Sequence, residues 1–221
     1  MNLTKGVVWR TVRWALSFKV AALLVLATPG LIMPTSAAAS LKLDAPLPFI
    51  FAMDDYEREL AINCLSDAIY YEAAFEPEEG QRAVAQVVLN RVRDPNFPDT
   101  VCGVVYQGWQ RRTGCQFSFV CDGSLKRRPP EPEQREHARM IATQALSGVV
   151  VDEVGTATHY HTDYVDPYWR STLVEITTIG QHIFYKWPGK AGRPEALDQV
   201  YRGDEAEAWA AIRPLRGRVQ G

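Results

Sequence analysis

Residues 54–74, DDYERELAINCLSDAIYYEAA, decide the architecture of this chain. Asp54 or Asp55 is placed to cap a helix, where a carboxylate accepts from free backbone N–H groups and meets the positive end of the helix dipole. No proline or glycine interrupts the run toward Ala74. At about 100° per residue, positions seven and eleven apart return to nearly the same azimuth, so Ala61, Leu65, Ala68 and Glu72 share one stripe. Glu57, Glu59, Glu76, Glu78 and Glu79 fall at helix ends or in turns, within reach of water; Glu72 is the glutamate aimed at the core. A buried carboxylate must find hydrogen bonds or hold its proton to a higher pH, and a held proton is what a general acid needs. A structural salt bridge to Arg91 or Arg82 accounts for the same burial without catalysis.

Downstream, Pro77 and three acidic residues open a second helix from Glu78 to Val92, with Val84, Val87, Val88 and Leu89 on its apolar face and Pro95 ending it. Thr100 caps a short helix through Tyr106, and 108–114 reads as a basic polar loop. A third long helix runs from Glu133 to Leu146 and stops at Gly148. The rhythm then changes. Residues 156–162 and 173–179 favour extended structure, and Gly180-Gln181 separates the latter from His182-Ile183-Phe184-Tyr185 as in a hairpin. Helices first and short strands later specify an α+β fold.

Upstream, Lys5, Arg10, Arg13 and Lys19 precede the apolar run from Val20 to Met33, and Ala37 to Ala39 supply the small residues of a cleavage site. Residues 1–39 therefore read as a secretory signal peptide, with no stable membrane span left after its removal, and 40–53 as a linker. Removing four basic residues leaves 20 against 26 acidic, a net charge of −6, which argues against nucleic acid as a partner. Residues 54–188 form the main domain, expected to be a monomer, and 189–221 a charged C-terminal extension with one short helix at 204–212.

The four cysteines, Cys64, Cys102, Cys115 and Cys121, all fall in the exported part, where disulfides are favoured. If residues 116–120 form a strand, Cys115 and Cys121 lie ~20 Å apart, too far to bridge. That leaves Cys64 with Cys121 or with Cys115.

The segments Ala68-Ile69-Tyr70-Tyr71-Glu72-Ala73, Glu79-Gly80-Gln81 and 84–92, VAQVVLNRV, strongly resemble the cell-wall hydrolase family of the spore-cortex-lytic enzyme SleB. The resemblance continues through 97–107, FPDTVCGVVYQ, then Gln116-Phe117-Ser118-Phe119, Cys121-Asp122-Gly123 and 179–185, IGQHIFY, in order over about Leu60 to Trp187. It implies a compact lysozyme-like fold, akin to lytic transglycosylases, with Glu72 as catalytic acid and peptidoglycan glycan strands as substrate. Two departures stand out. Ala74-Phe75 replaces the family's usual Arg-Gly, and no peptidoglycan-binding repeat domain precedes the catalytic region. General wall remodelling in a periplasm, or at the cell wall, is therefore the expectation rather than germination.

Retaining and inverting glycosidases use two carboxyls. One stands out here, which fits a lytic transglycosylase acting without a cofactor and leaving 1,6-anhydro-muramoyl ends. Glu175, in an alternating strand, is the rival second carboxyl, though an edge-strand surface charge explains it more simply. Tyr71, Gln116, Phe117, Ser118, Tyr160 and Trp169 are the candidate sugar-binding residues, since they offer aromatic faces and polar tips. His159, His161 and Asp163 alternate like a zinc triad, so a zinc-dependent amidase is the second reading. No third His sits at ligand spacing, and the site is expected to hold no metal. A non-catalytic wall-binding protein is the third. Arg111-Arg112 and Lys126-Arg127-Arg128 read as solvated surface able to face anionic stem peptides.

Overall fold

Asp54 caps the first helix, α1 (Asp55–Ala73), its side chain accepting from Glu57 N at 2.8 Å. The computed structural model describes residues 45–127 and 129–216, so the signal peptide assigned to 1–39 lies outside them. No described helix is long and apolar enough to cross a membrane. From Leu60 to Ile69, α1 is buried on every side except at Asn63. A helix buried all round belongs at the centre of its fold. Around it pack α2 (Glu78–Arg93), α3 (Val101–Val105), α5 (Pro132–Ala145) and α6 (Glu205–Arg216), with a single-turn α4 (Ser124–Arg127) beside the chain that leads to α5. The buried acid within α1 is Asp67. It accepts from the Tyr106 hydroxyl at the end of α3 and from Arg135 of α5, tying three helices together.

Three strands follow, β1 (His159–Thr162), β2 (Val174–Ile179) and β3 (His182–Lys186), antiparallel in the order β1-β3-β2. Mixed helix and sheet confirm the α+β reading, and the hairpin turn lies at Gly180-Gln181. Gly180 has φ +58°, and a Cβ there would strike the carboxylate of Glu76. That carboxylate accepts from Gln181 N at 2.9 Å, so the turn that follows α1 holds the hairpin. A small apolar cluster, Ala83, Val87, Val154, Ala157 and Phe184, joins α2 to the sheet.

The cysteine reading needs correction. The bridges are Cys64–Cys102 and Cys115–Cys121, and neither Cys64–Cys121 nor Cys64–Cys115 forms. The argument against the second bridge assumed a strand; Ser118–Val120 is instead a turn of 3₁₀ helix, which brings the Cα atoms of Cys115 and Cys121 to 6.1 Å, within disulfide reach. Cys64–Cys102, with Cα atoms 5.2 Å apart, pins α3 to α1.

Nor do residues 189–216 hang from the fold as an extension. Tyr201 and Ile212 belong to the main core. Gln199 closes the C-terminus of α2, its N–H donating to Arg93 O at 2.9 Å and its Nε2 to Val92 O at 2.9 Å. Glu205, fully buried, accepts from Val101 N at 2.6 Å and Cys102 N at 2.9 Å, capping α3 from 104 residues downstream. Glu57 of α1 in turn accepts from Ala206 N at 3.1 Å. A helix N-terminus leaves its first N–H groups without intrahelical partners, and here carboxylates distant in sequence supply them.

Burial pushes the Glu205 carboxyl up to about 7, against the opposing pull of the Cys102 and Val101 N–H groups. Between its ordinary value of 4.5 and about 7, the folded protein keeps a proton that the unfolded chain has lost. Stability from this group is therefore fully present below pH 4.5 and is lost as pH rises to about 7, a change of up to roughly 3 kcal/mol. Glu205→Gln, neutral and of the same size, is expected to flatten that part of a melting-temperature profile against pH. An unchanged slope in the variant would contradict the assignment.

Candidate active site

Glu72 is the penultimate residue of α1, where the Ala61, Leu65 and Ala68 stripe leaves the core. The stripe residues are fully buried, but Glu72 itself is half-buried and opens onto a cleft; the expectation of a carboxylate sealed in the core is corrected to one at the cleft floor. Two cavities of about 460 and 480 Å³ flank it, and Glu72 is the residue their linings share.

β1 brings its partner. The Tyr160 hydroxyl donates to Glu72 Oε2 at 3.2 Å. Burial first, and then the neighbouring Glu72, raise the Tyr160 phenol well above its usual range, so it remains protonated and acts as the donor. Its ring stands edge-on to His182, with centroids 4.9 Å apart. What places β1 is a pair of buried polar residues on α2. Asn90 Nδ2 donates to Gly155 O at 2.9 Å and Ala157 O at 2.8 Å, and Arg91 Nε donates to Thr158 O at 2.7 Å. The chain entering β1 thus spends its carbonyls on helix α2 rather than on a neighbouring strand.

The six residues read from sequence as sugar-binding candidates line the two cavities that share Glu72. Gln116, Phe117, Ser118, Tyr160 and Trp169 line one cavity, and Tyr71 lines the other, stacked on Phe119 at 4.8 Å. Arg111 and Arg127, from the two basic stretches, lie exposed, one on each cavity. Glu175 lines neither. It is exposed on the edge strand β2 and accepts from the Tyr185 hydroxyl at 3.2 Å. Glu76 and Glu131 are the carboxylates that share a cavity with Glu72, and Glu76 is already engaged with the hairpin turn.

Sequence reasoning missed Tyr168, an aromatic ring 94% exposed on one cavity, a degree of exposure that periodicity does not reveal; Phe75, read from sequence as a departure from the family pattern, is 89% exposed on the other. It also missed the role of Arg91 as a cleft residue. Arg91 is 4% exposed, lies over the rings of Phe97 and Phe117 at 5.4 and 5.2 Å, and has a pKa lowered by burial to about 10, so it stays charged. The signal was there: a guanidinium in the apolar run from Val87 to Val92.

The histidines read as metal ligands are taken up otherwise. His161 Nδ1 lies 2.8 Å from Thr162 O, and its Nε2 lies 2.9 Å from the Tyr185 hydroxyl. Burial, then Arg91, lowers His159 to about 4, and its Nδ1 lies 3.0 Å from Thr158 Oγ1. Asp163 is exposed. Among the described residues, no group of three or more His, Cys, Asp or Glu side chains converges as a metal-binding set, so the zinc triad does not fit this geometry.

A family model described as cell wall hydrolase matches residues 75–185, a span that takes in Arg91, Tyr160 and Trp169 and begins just past Glu72. Spore cortex-lytic enzymes of Halalkalibacterium halodurans and Bacillus subtilis are 38% and 34% identical over 124 and 123 residues. In both cases 56% of this chain is covered, against 34% and 36% of the relative's length, so the chain spans about a third of these relatives. The catalytic domain of the Bacillus cereus SleB protein aligns at TM-score 0.47 with 36% identity, over 58% of this chain and 91% of that one. The catalytic domain of the germination-specific lytic transglycosylase SleB of Bacillus anthracis aligns at the same score and identity, over 95% of its length.

Removing the clamp on β1 should be felt directly. Asn90→Ala leaves two buried carbonyls without their donor, and at about 1–3 kcal/mol for each unsatisfied group it is expected to destabilise the protein by roughly 2–6 kcal/mol in urea unfolding. A loss under 1 kcal/mol would mean that the 155–158 segment is held by other contacts.

Proposed function

This chain belongs to the cell wall hydrolase family, and from that premise we propose that it cuts peptidoglycan glycan strands between N-acetylmuramic acid and N-acetylglucosamine, with Glu72 as the proton donor. The observation that carries this reading is the position of Glu72 as the one residue common to two flanking cavities. A polymer occupying both would place a bond between two sugars over that carboxyl. Phe75 and Tyr164 on one side, and Tyr168 and Trp169 on the other, offer faces to sugar rings.

In this mechanism, neutral Glu72 gives its proton to the glycosidic oxygen as the bond from muramoyl C1 breaks. The resulting carboxylate takes the proton of the muramoyl C6 hydroxyl, whose oxygen closes onto C1. The product is a 1,6-anhydro end, no water is consumed, and the acid is regenerated. Tyr160 holds the carboxylate oriented through both steps. Such a protein works outside the cytoplasm, at the cell wall, which agrees with the export signal read from residues 1–39.

A hydrolytic reading has one observation in its favour: Glu131 is exposed on the cavity it shares with Glu72, where a second carboxyl could activate water. Mass spectrometry of digested sacculi separates the two. Anhydro-muropeptides are expected, Glu72→Gln should lower the rate by at least ~10³-fold with the fold intact, and Glu131→Gln and Glu175→Gln should act within about threefold of the wild type. Hydrated reducing ends, together with loss of activity in Glu131→Gln, would overturn the single-acid mechanism.

Phe75 supplies a second check. Phe75→Ala is expected to raise KM for glycan strands several-fold, about 1 kcal/mol of stacking, while kcat changes little.

A further inference from the structure

Two residues that line the cavity beside Glu72 each carry a buried polar atom with no hydrogen-bond partner among the described residues: Arg91 Nη1, a donor, and Gln107 Oε1, an acceptor. Leaving a buried donor or acceptor unsatisfied costs about 1–3 kcal/mol, so a fold does not retain two in one cavity without compensation elsewhere. The Arg91 guanidinium and the Gln107 backbone are both held in place. Arg91 is fixed by its Nε bond to Thr158 O and by the rings of Phe97 and Phe117. Gln107 follows α3, whose position the Cys64–Cys102 bridge sets, and its backbone oxygen accepts from Gln116 N at 3.0 Å.

One donor and one acceptor, beside the apolar faces of Phe117 and Trp169 on the same cavity, match one chemical group. A secondary acetamide has a carbonyl oxygen, an N–H and a methyl. We propose that Arg91 and Gln107 form an acetamido-binding subsite: Arg91 Nη1 donates to the acetyl oxygen, Gln107 Oε1 accepts from the amide N–H, and the methyl rests against Phe117 and Trp169. This rests on the glycan reading of the site and adds to it the group by which the sugar is recognised. The Gln107 side chain makes no hydrogen bond among the described residues, so it is the one that turns to admit the ligand. Arg91, Gln107 and Glu72 line the same cavity, which puts the acetamido group beside the bond being cut. A site built around unpaired polar atoms rejects analogues that cannot pair them.

The test uses full-length protein carrying Glu72→Gln, so that nothing is cleaved, titrated calorimetrically with two uncharged β-1,4 tetrasaccharides. One is the N-acetylglucosamine tetramer; the other is the glucose tetramer, which has a hydroxyl where the first has the acetamide. The N-acetylated sugar is expected to bind at least ~10-fold more tightly, and Gln107→Met should bring that ratio near one while the melting temperature holds. Arg91→Lys, which keeps the charge, should weaken the acetylated sugar alone. Equal binding of both sugars, or a ratio untouched by Gln107→Met, overturns the subsite while leaving the glycan reading in place. Failure of wild-type protein to bind or digest sacculi at all overturns both.

Discussion

The site depends on helix α2 donating hydrogen bonds sideways. Asn90 and Arg91 lie in an apolar stretch and are buried, and their side chains satisfy the carbonyls of Gly155, Ala157 and Thr158 just before β1 begins. Buried carbonyls must be paired, and a segment entering an edge strand has few ways to pair them. Fixing that segment fixes Tyr160, and Tyr160 fixes the carboxylate of Glu72. The residue that looks most structural on α2 thus sets the geometry of the cleft, and Arg91 contributes its charge to the same place.

The helices were legible because their boundaries carry local chemistry: the Asp54 cap, the acids after Pro77, the Thr100 cap that accepts from Gly103 N, and Pro132 at the start of α5. The hairpin at Gly180 was legible for the same reason. Glu72 was found from periodicity, though periodicity gave its direction and not its depth, because a stripe continues to the end of a helix whether or not core remains to receive it. The Cys115–Cys121 bridge was misread because Phe117, Phe119 and Val120 alternate with polar residues as a strand does, while the segment closes into a 3₁₀ turn with those apolar groups buried. Nothing local distinguishes the two. The packing of Tyr201, Glu205 and Ile212 was invisible for a different reason, since their partners lie about a hundred or more positions away.

The cleft is uneven in its chemistry. One side holds the fixed polar group of Arg91 with Gln116 and Ser118, and the other is ringed by Phe75, Tyr164, Glu76 and Glu131. Glu72 stands at the boundary between a half lined by Arg91 and a half lined by further carboxylates. Such asymmetry suits a polymer whose two halves need different treatment, with one sugar gripped through specific atoms and the neighbouring one guided by faces. Phe75 stands on the guided half, apart from the residues that line the gripping half.

The successive capping of α6 by Glu57 of α1, and of α3 by Glu205 of α6, has a consequence for the order in which the molecule is made. A polypeptide emerging from ribosome or translocon presents α1, with Glu72, long before Glu205 exists. Until that late glutamate arrives, the N–H groups of Val101 and Cys102 lack their acceptors, and the Thr100 cap and the Cys64–Cys102 bridge are what hold the start of α3. The seat of α3 therefore depends on a glutamate 104 residues downstream of Val101, so the wall of the cleft that carries Gln107 is completed only when α6 has been added to the fold.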